Sequence, residues 1–186
     1  MAGMRAVDPR VSYAELATWP DDGRRWELYA GEPIAVPTPN WRHQRVVVKL
    51  AGILGEYEHL GGGGVVVAPF DIVLSDYDVL QPDVVFFERE KRARLNPLEV
   101  GYLVPDLVVE VLSRSTEARD RGRKMAVFAR HELPEYWLVD AHARELEVYA
   151  RSAGSLSLIR VFESGHRVTS ATLPGLSFDL DRLFTD

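Results

Sequence analysis

Apolar positions along the chain switch between helical and strand periods five times, and each switch marks an element. From about Asn40, residues Val46, Val47, Leu50, Ile53, Leu54 and Tyr57 recur three and four apart. That spacing draws one stripe down a long helix, and the four glycines 61–64 stop it. Upstream, "SYAE" at 12–15 fits a capping box with Ser12 as N-cap and Glu15 three residues on, predicting a short helix to about Trp19. Between the two helices, "WELYAGEPIAV" reads as a hairpin turning near Ala30-Gly31.

Downstream the period shortens. "VVVAPFDIVL", "DVVFF" and "DLVVEVL" are near-continuous apolar runs rich in β-branched residues, the pattern of central strands covered on both faces. Residues 88–104 are charged and are expected to form a loop. A second helix is predicted over about 116–131, ending before Pro134, followed by the strand "EYWLVD". "RELEVYA" and "SLSLIRVF" alternate as a hairpin with one wet face, and "LPGLSFDLDRLF" packs short elements onto the body. The order predicts the α/β (α+β) class: one domain over residues 1–186, a mixed β-sheet flanked by helices, without regular βαβ alternation.

With 186 residues and 46% hydrophobic content the chain can bury one substantial core. No apolar stretch approaches the roughly 18–20 residues of a membrane span, and the opening "MAGMRAVDPR" lacks the apolar core of a signal peptide. The absence of cysteine excludes disulfides and thiolate metal sites, and a cytoplasmic setting is expected. A net charge of -6 argues against a basic coat for nucleic acid. A local basic patch remains at 114–124, where Arg114, Arg119, Arg121, Arg123 and Lys124 face only Glu117 and Asp120.

Two carboxylates interrupt the apolar runs. Asp83 stands at the mouth of "QPDVVFF", and Glu110 lies inside "PDLVVEVLS". Strand alternation places Val108, Glu110 and Leu112 on one face and Leu107, Val109 and Val111 on the other. If Asp83 begins a neighbouring strand, the two acids converge and repel unless a cation lies between them. Oxygen-only ligation favours Mg²⁺, with Mn²⁺ as a substitute. Plain turn chemistry at Pro82-Asp83, and a buried salt bridge from Glu110 to an arginine, are the competing readings.

The ordered set of "PD" at 82–83, "EVLS" at 110–113, Asp120, Lys124 and "LPEYWLVD" at 133–140 resembles the Uma-two group of restriction-endonuclease-like proteins, within the PD-(D/E)XK phosphodiesterase superfamily. "WELYAGEPIAV" and "LPGLSFDL" extend the resemblance over about residues 12 to 184. It implies a restriction-endonuclease-like fold and a Mg²⁺-dependent DNA endonuclease. Asp83, Glu110 and the backbone carbonyl of Val111 would be its ligands, with Lys124 as catalytic lysine and Glu27 as an upstream acid. It also implies that Arg114, Arg119, Arg121 and Arg123 hold DNA and that the protein is a homodimer.

One departure stands out. The superfamily places its lysine two residues after the acid, and here that residue is Leu112. Lys124 instead shares a helix face with Asp120 and Phe128, a face expected to point toward the sheet. The competing readings are a surface Lys124 paired with Asp120, an exposed strand Glu27 and a helix-surface His43. Trp41 and Trp137 are expected as core or rim aromatics rather than stacking platforms. A catalytically silent nucleic-acid-binding or structural module of the same fold, and a hydrolase of a small phosphorylated compound, are the alternative functions.

Overall fold

The computed structural model describes residues 9–185. Residues 1–8, which carry most of the stretch read above for a leader, and residue 186 lie outside the described residues. The expected mixed architecture is found. A six-stranded sheet runs in the order β10-β9-β8-β7-β6-β3. Its members are β3 (Gly64–Val67), β6 (Val84–Phe87), β7 (Leu107–Val111), β8 (Glu135–Asp140), β9 (Glu145–Ser152) and β10 (Ser155–Phe162). Only β7 and β8 are parallel; the other pairings are antiparallel. A smaller sheet orders β2-β1-β5-β4, from β1 (Arg25–Tyr29), β2 (Glu32–Val36), β4 (Ile72–Val73) and β5 (Val79–Leu80).

β6 and β7 are buried along their whole length, as continuous apolar runs demand. Their alternation feeds two cores. Leu107, Val109 and Val111 face the helix α2 (Trp41–Gly61) and its stripe of Val46, Val47, Leu50, Ile53 and Leu54. Leu50 and Leu54 are fully buried, each contributing about 2 kcal/mol by leaving water. The other face carries Val108, Tyr136 and Leu138, which pack against Phe128 and the small-sheet residues Tyr29, Ile72 and Leu80. The domain is therefore layered as helix, large sheet, then small sheet with a second helix.

Local signals sit where the sequence puts them, with some corrections. Ser12 caps α1 (Tyr13–Leu16) by a capping box, though the helix ends sooner than expected. Ala30 and Gly31, with φ of 51° and 84°, turn the β1–β2 hairpin. Asn40 caps α2, and its glycine stop is tight: a Cβ on Gly63 would lie 2.6 Å from the Phe87 carbonyl oxygen. "VVVAPFDIVL" is not one strand. Pro69 cannot donate to a ladder, and the run splits into β3 at the edge of the large sheet and β4 in the small one. The segment 88–104 contains a short helix, α3 (Arg89–Arg92), and Gly101 bridges to Ile72. The helix expected over 116–131 is three pieces: α4 (Glu117–Arg119), a π turn (Asp120–Lys124) and α5 (Met125–Arg130).

The C-terminal pieces are β11 (Arg167–Thr169), β12 (Ser177–Asp179) and a 3₁₀ turn (Leu180–Leu183). A buried carboxylate fastens them. Glu135, fully buried, accepts from Trp137 Nε1 at 2.6 Å, Ser170 Oγ at 2.6 Å and the Thr172 N–H at 2.7 Å. Donors alone satisfy this charge, so its removal strands several buried N–H groups at once. Glu135→Ala should lower unfolding stability by about 3 kcal/mol, read from urea melts, and loosen the 170–176 segment in hydrogen exchange.

Candidate active site

The peptide Gln81-Pro82-Asp83 carries the chain from β5 in the small sheet to β6 in the large one. Both backbone groups of Gln81 serve the residues around this seam. Its N–H donates to Glu27 Oε1 at 2.9 Å, and its carbonyl accepts from Lys124 Nζ at 3.2 Å. Val84 pairs with Val109 across β6 and β7, so Asp83 stands one step back, beside the position of Glu110. Asp83, Glu110, Asp120 and Lys124 line one pocket, with Arg25, His43 and Arg119 at its wall.

Lys124 is the electrostatic centre. Its ammonium lies 2.7 Å from Glu110 Oε1 and 2.8 Å from Glu27 Oε1, with almost no exposed surface on any of the three side chains. The π turn matters here. By widening the helix across Asp120–Lys124 it seats both of these residues against the sheet, each 2% exposed. Burial would strip the proton from Lys124, but the Glu110 and Glu27 carboxylates overcome it and hold the ammonium well above its ordinary value. Burial pushes Glu27 up; Lys124, then Arg119 and the Gln81 N–H, outweigh it and leave this acid below the usual carboxylate range. Tyr29 adds a hydrogen bond to Glu27 Oε2 at 2.7 Å.

Glu110 goes the other way. Burial raises its proton affinity well above the usual range; Lys124 opposes this, and Asp83, Asp120 and Glu27 add to it. Asp120 is raised as well, chiefly by burial, and its Oδ1 is buried without a hydrogen bond. Asp83, Glu110 and Asp120 thus line a pocket whose permanent cations are Arg25, Arg119 and Lys124, with Glu27 buried behind the ammonium. The carboxylates of Asp83 and Glu110, beside the unbonded Asp120 Oδ1, are an oxygen-only donor set of the kind that suits a divalent cation. Among the described residues no three acidic or imidazole side chains form a ready-made metal cage. Mg²⁺ needs none, since it keeps several waters and takes one or two carboxylates.

Asp83 is held in one orientation. Its Oδ2 accepts the Val111 N–H at 2.8 Å and meets His43 Nε2 at 3.0 Å, which leaves Oδ1 for a ligand. His43 is a correction: expected on the helix surface, it is 9% exposed and points at the acid. Its signal was in the stripe, because position 43 precedes Val46, Val47 and Leu50 at helical spacing. Asp120 was seen as a face-mate of Lys124 but not as part of the site. Lys124 was expected to reach Glu110 and does; Glu27 is buried beside it rather than exposed on a strand.

The arginines of the basic patch separate. Arg119 lines the pocket, 3.8 Å from Glu27 Oε2 and 3.9 Å from Asp120 Oδ1. Arg114 borders the groove next to it. Arg121 grips Glu147 with two bonds of 2.7 and 2.8 Å, and Arg123 pairs with Glu32 at 2.7 Å; neither lines the pocket. Trp137 is core, whereas Trp41 is 80% exposed.

A relative in Synechocystis sp. (strain ATCC 27184 / PCC 6803 / Kazusa), "Uncharacterized protein slr1290", is 29% identical over 181 residues, 95% of this chain and 92% of its own length. A crystal structure described as a "putative nuclease belonging to DUF820", from Anabaena variabilis ATCC 29413, superposes with a TM-score of 0.77. It covers 94% of this chain and 97% of its own at 18% identity, a likeness of fold. The Uma2 family, described as "Putative restriction endonuclease", matches residues 13–181. That match spans both sheets and every carboxylate of the pocket, and the chain belongs to the Uma2 family.

Proposed function

We propose that this protein is a Mg²⁺-dependent endonuclease that hydrolyses phosphodiester bonds in DNA. One observation carries the reading: a fully buried ammonium, Lys124, lies between Glu27 and Glu110 in a pocket that also gathers Asp83 and Asp120, whose Oδ1 is buried without a hydrogen bond. Carboxylates gathered this closely repel one another unless a cation offsets them. Asp83 and Glu110, with the Val111 carbonyl, are the residues that would hold Mg²⁺, or Mn²⁺ in its place. When bound, the ion supplies Lewis acidity toward the phosphate and makes a water more acidic.

The chain's own groups do the rest. Asp83 is kept in register by the Val111 N–H and His43. Lys124 presents positive charge where the phosphorane charge develops, and Glu27 with the Gln81 carbonyl fixes the ammonium's position. Glu110, which favours its proton when the cation is absent, gives it up on loading. Arg119, at the pocket wall, and Arg114, in the adjoining groove, are the arginines placed to meet backbone phosphates. The edge strand β10, with Leu158, Ile159 and Val161 outward, offers a second copy a surface for pairing. A homodimer built there supplies one site per strand. No helix among the described residues is long and apolar enough to cross a membrane, and a chain without cysteine suits the cytoplasm.

The decisive experiment is cleavage of supercoiled and single-stranded DNA with Mg²⁺, Mn²⁺ or EDTA. Lys124→Ala should abolish cleavage and retain Mg²⁺ binding, and Lys124→Arg should fail too, since a planar guanidinium cannot occupy the seat of a compact ammonium. Removing the cation takes the nearest counter-charge from two buried acids, Glu27 and Glu110, so Lys124→Ala should lose about 3 kcal/mol of stability without metal. Mg²⁺ should then raise its melting temperature more than that of the parent. Cleavage by Lys124→Ala at the parent rate refutes the reading.

Mg²⁺ binding should release a proton. Glu110 keeps one at a pH where a solvated carboxylate has lost it, so the cation competes with that proton and its affinity rises with pH. The sign follows for stability: without Mg²⁺, the contribution of Glu110 declines as pH rises above the ordinary carboxylate range. Calorimetry in buffers of different ionisation enthalpy reads the proton directly. Asp83→Asn should remove both Mg²⁺ binding and cleavage. Heats that do not depend on the buffer, or Asp83→Asn binding Mg²⁺ as the parent does, would count against the ligand assignment.

A further inference from the structure

Trp41 is the largest side chain left open to solvent on α2. It lies two residues before His43, turned about 200° around the helix from it. A single exposed aromatic needs no explanation by itself, but its surroundings set this one apart. The groove it lines shares Asn40, His43, Ser113 and Ser115 with the wall of the active-site pocket. The two hollows adjoin along these shared residues. Beyond Trp41 a further hollow shares Trp41, Arg42 and His142 with the groove. The indole therefore stands midway along a track that runs out of the active site.

Positive charge lines this track. Elsewhere many arginines are held by carboxylates, as Arg121, Arg123, Arg130, Arg144 and Arg182 are. Arg42 and Arg114 are exposed and form no ion pair among the described residues. Arg45, one turn after Trp41, directs its guanidinium at the indole, 5.9 Å from the ring centroid. The two acids lining the groove are already engaged. Glu117 accepts from Arg121 at 3.0 Å, and Asp140 Oδ1 accepts the His142 and Ala143 N–H groups. In a chain of net charge -6, Arg42, Arg45 and Arg114 place positive charge around an exposed indole beside the active-site pocket.

A flat aromatic between free guanidiniums matches a strand of nucleic acid with its bases turned out. In a duplex each base face is covered by its neighbours, so an indole can stack only where a base is unpaired. We propose that Trp41 is a stacking platform for an unpaired DNA base, with Arg42 and Arg114 holding the phosphates beside it, so that DNA reaches the pocket as a single-stranded segment. The inference rests on the nuclease reading above and deepens it by naming the form of the substrate.

The test separates binding from cleavage. Fluorescence anisotropy in EDTA would compare a short labelled oligothymidylate, the same oligomer with abasic sites at its centre, and a blunt duplex of equal length. The parent should prefer the oligothymidylate. Trp41→Ala should weaken that binding roughly tenfold, leave the duplex unchanged within about twofold and leave the salt dependence intact, while Trp41→Phe retains most of the affinity. The abasic oligomer should not distinguish Trp41→Ala from the parent. Arg114→Ala should weaken all probes alike and reduce the salt slope by about 0.7 for the single strands and about 0.9 for the duplex. Parallel cleavage assays with Mg²⁺ decide what a failure means. If the parent cleaves DNA but Trp41→Ala binds the oligothymidylate as tightly as the parent, the stacking platform is refuted and the nuclease reading stands. If the parent neither binds nor cleaves any probe, both fall.

Discussion

A single ammonium governs the interior of this protein's functional face. Lys124 joins three separate pieces of chain: Glu27 from the small sheet, Glu110 from the large one, and the Gln81 carbonyl from the link between them. Each contact alone would be a poor bargain, because a buried ion pair seldom recovers its desolvation. Together they make a charged node that is satisfied only when both sheets and the broken helix are docked. Fold and site are for this reason hard to separate energetically, and strain in one is felt in the other.

The node also sorts the protons. Glu27 and Glu110 touch the same ammonium, yet their proton affinities move in opposite directions. Glu27 has a second cation, an amide and a tyrosine hydroxyl to share its charge. Glu110 has three other acids for company. Two chemically alike side chains thereby acquire different proton affinities from their neighbours alone, one lowered and one raised.

Much of this was legible in the sequence because it rests on periodicity. The stripe of α2, the alternation that splits Val109 from Glu110, the Ala30-Gly31 turn and the capping box at Ser12 follow from spacing, and spacing survives in one dimension. The resemblance led to the lysine on the helix. The rest depends on partners distant in sequence. Glu135 reads as one more strand acid until the 170–172 segment arrives with its donors. The split of "VVVAPFDIVL" between two sheets depends on what pairs with each half. At His43 two signals conflict: polarity suggests the surface, and its position in the stripe places it inside.

The link from Gln81 to Asp83 has a mechanical consequence. Gln81 tethers the acid through its N–H and the ammonium through its carbonyl, and two residues later the same chain presents Asp83. A slip of the small sheet relative to the large one cannot shift these groups one at a time. It would uncouple Glu27, Lys124 and Asp83 in a single movement. The seam between the two sheets is thus a single mechanical element, and displacing Gln81 by one hydrogen bond's length displaces its neighbours with it.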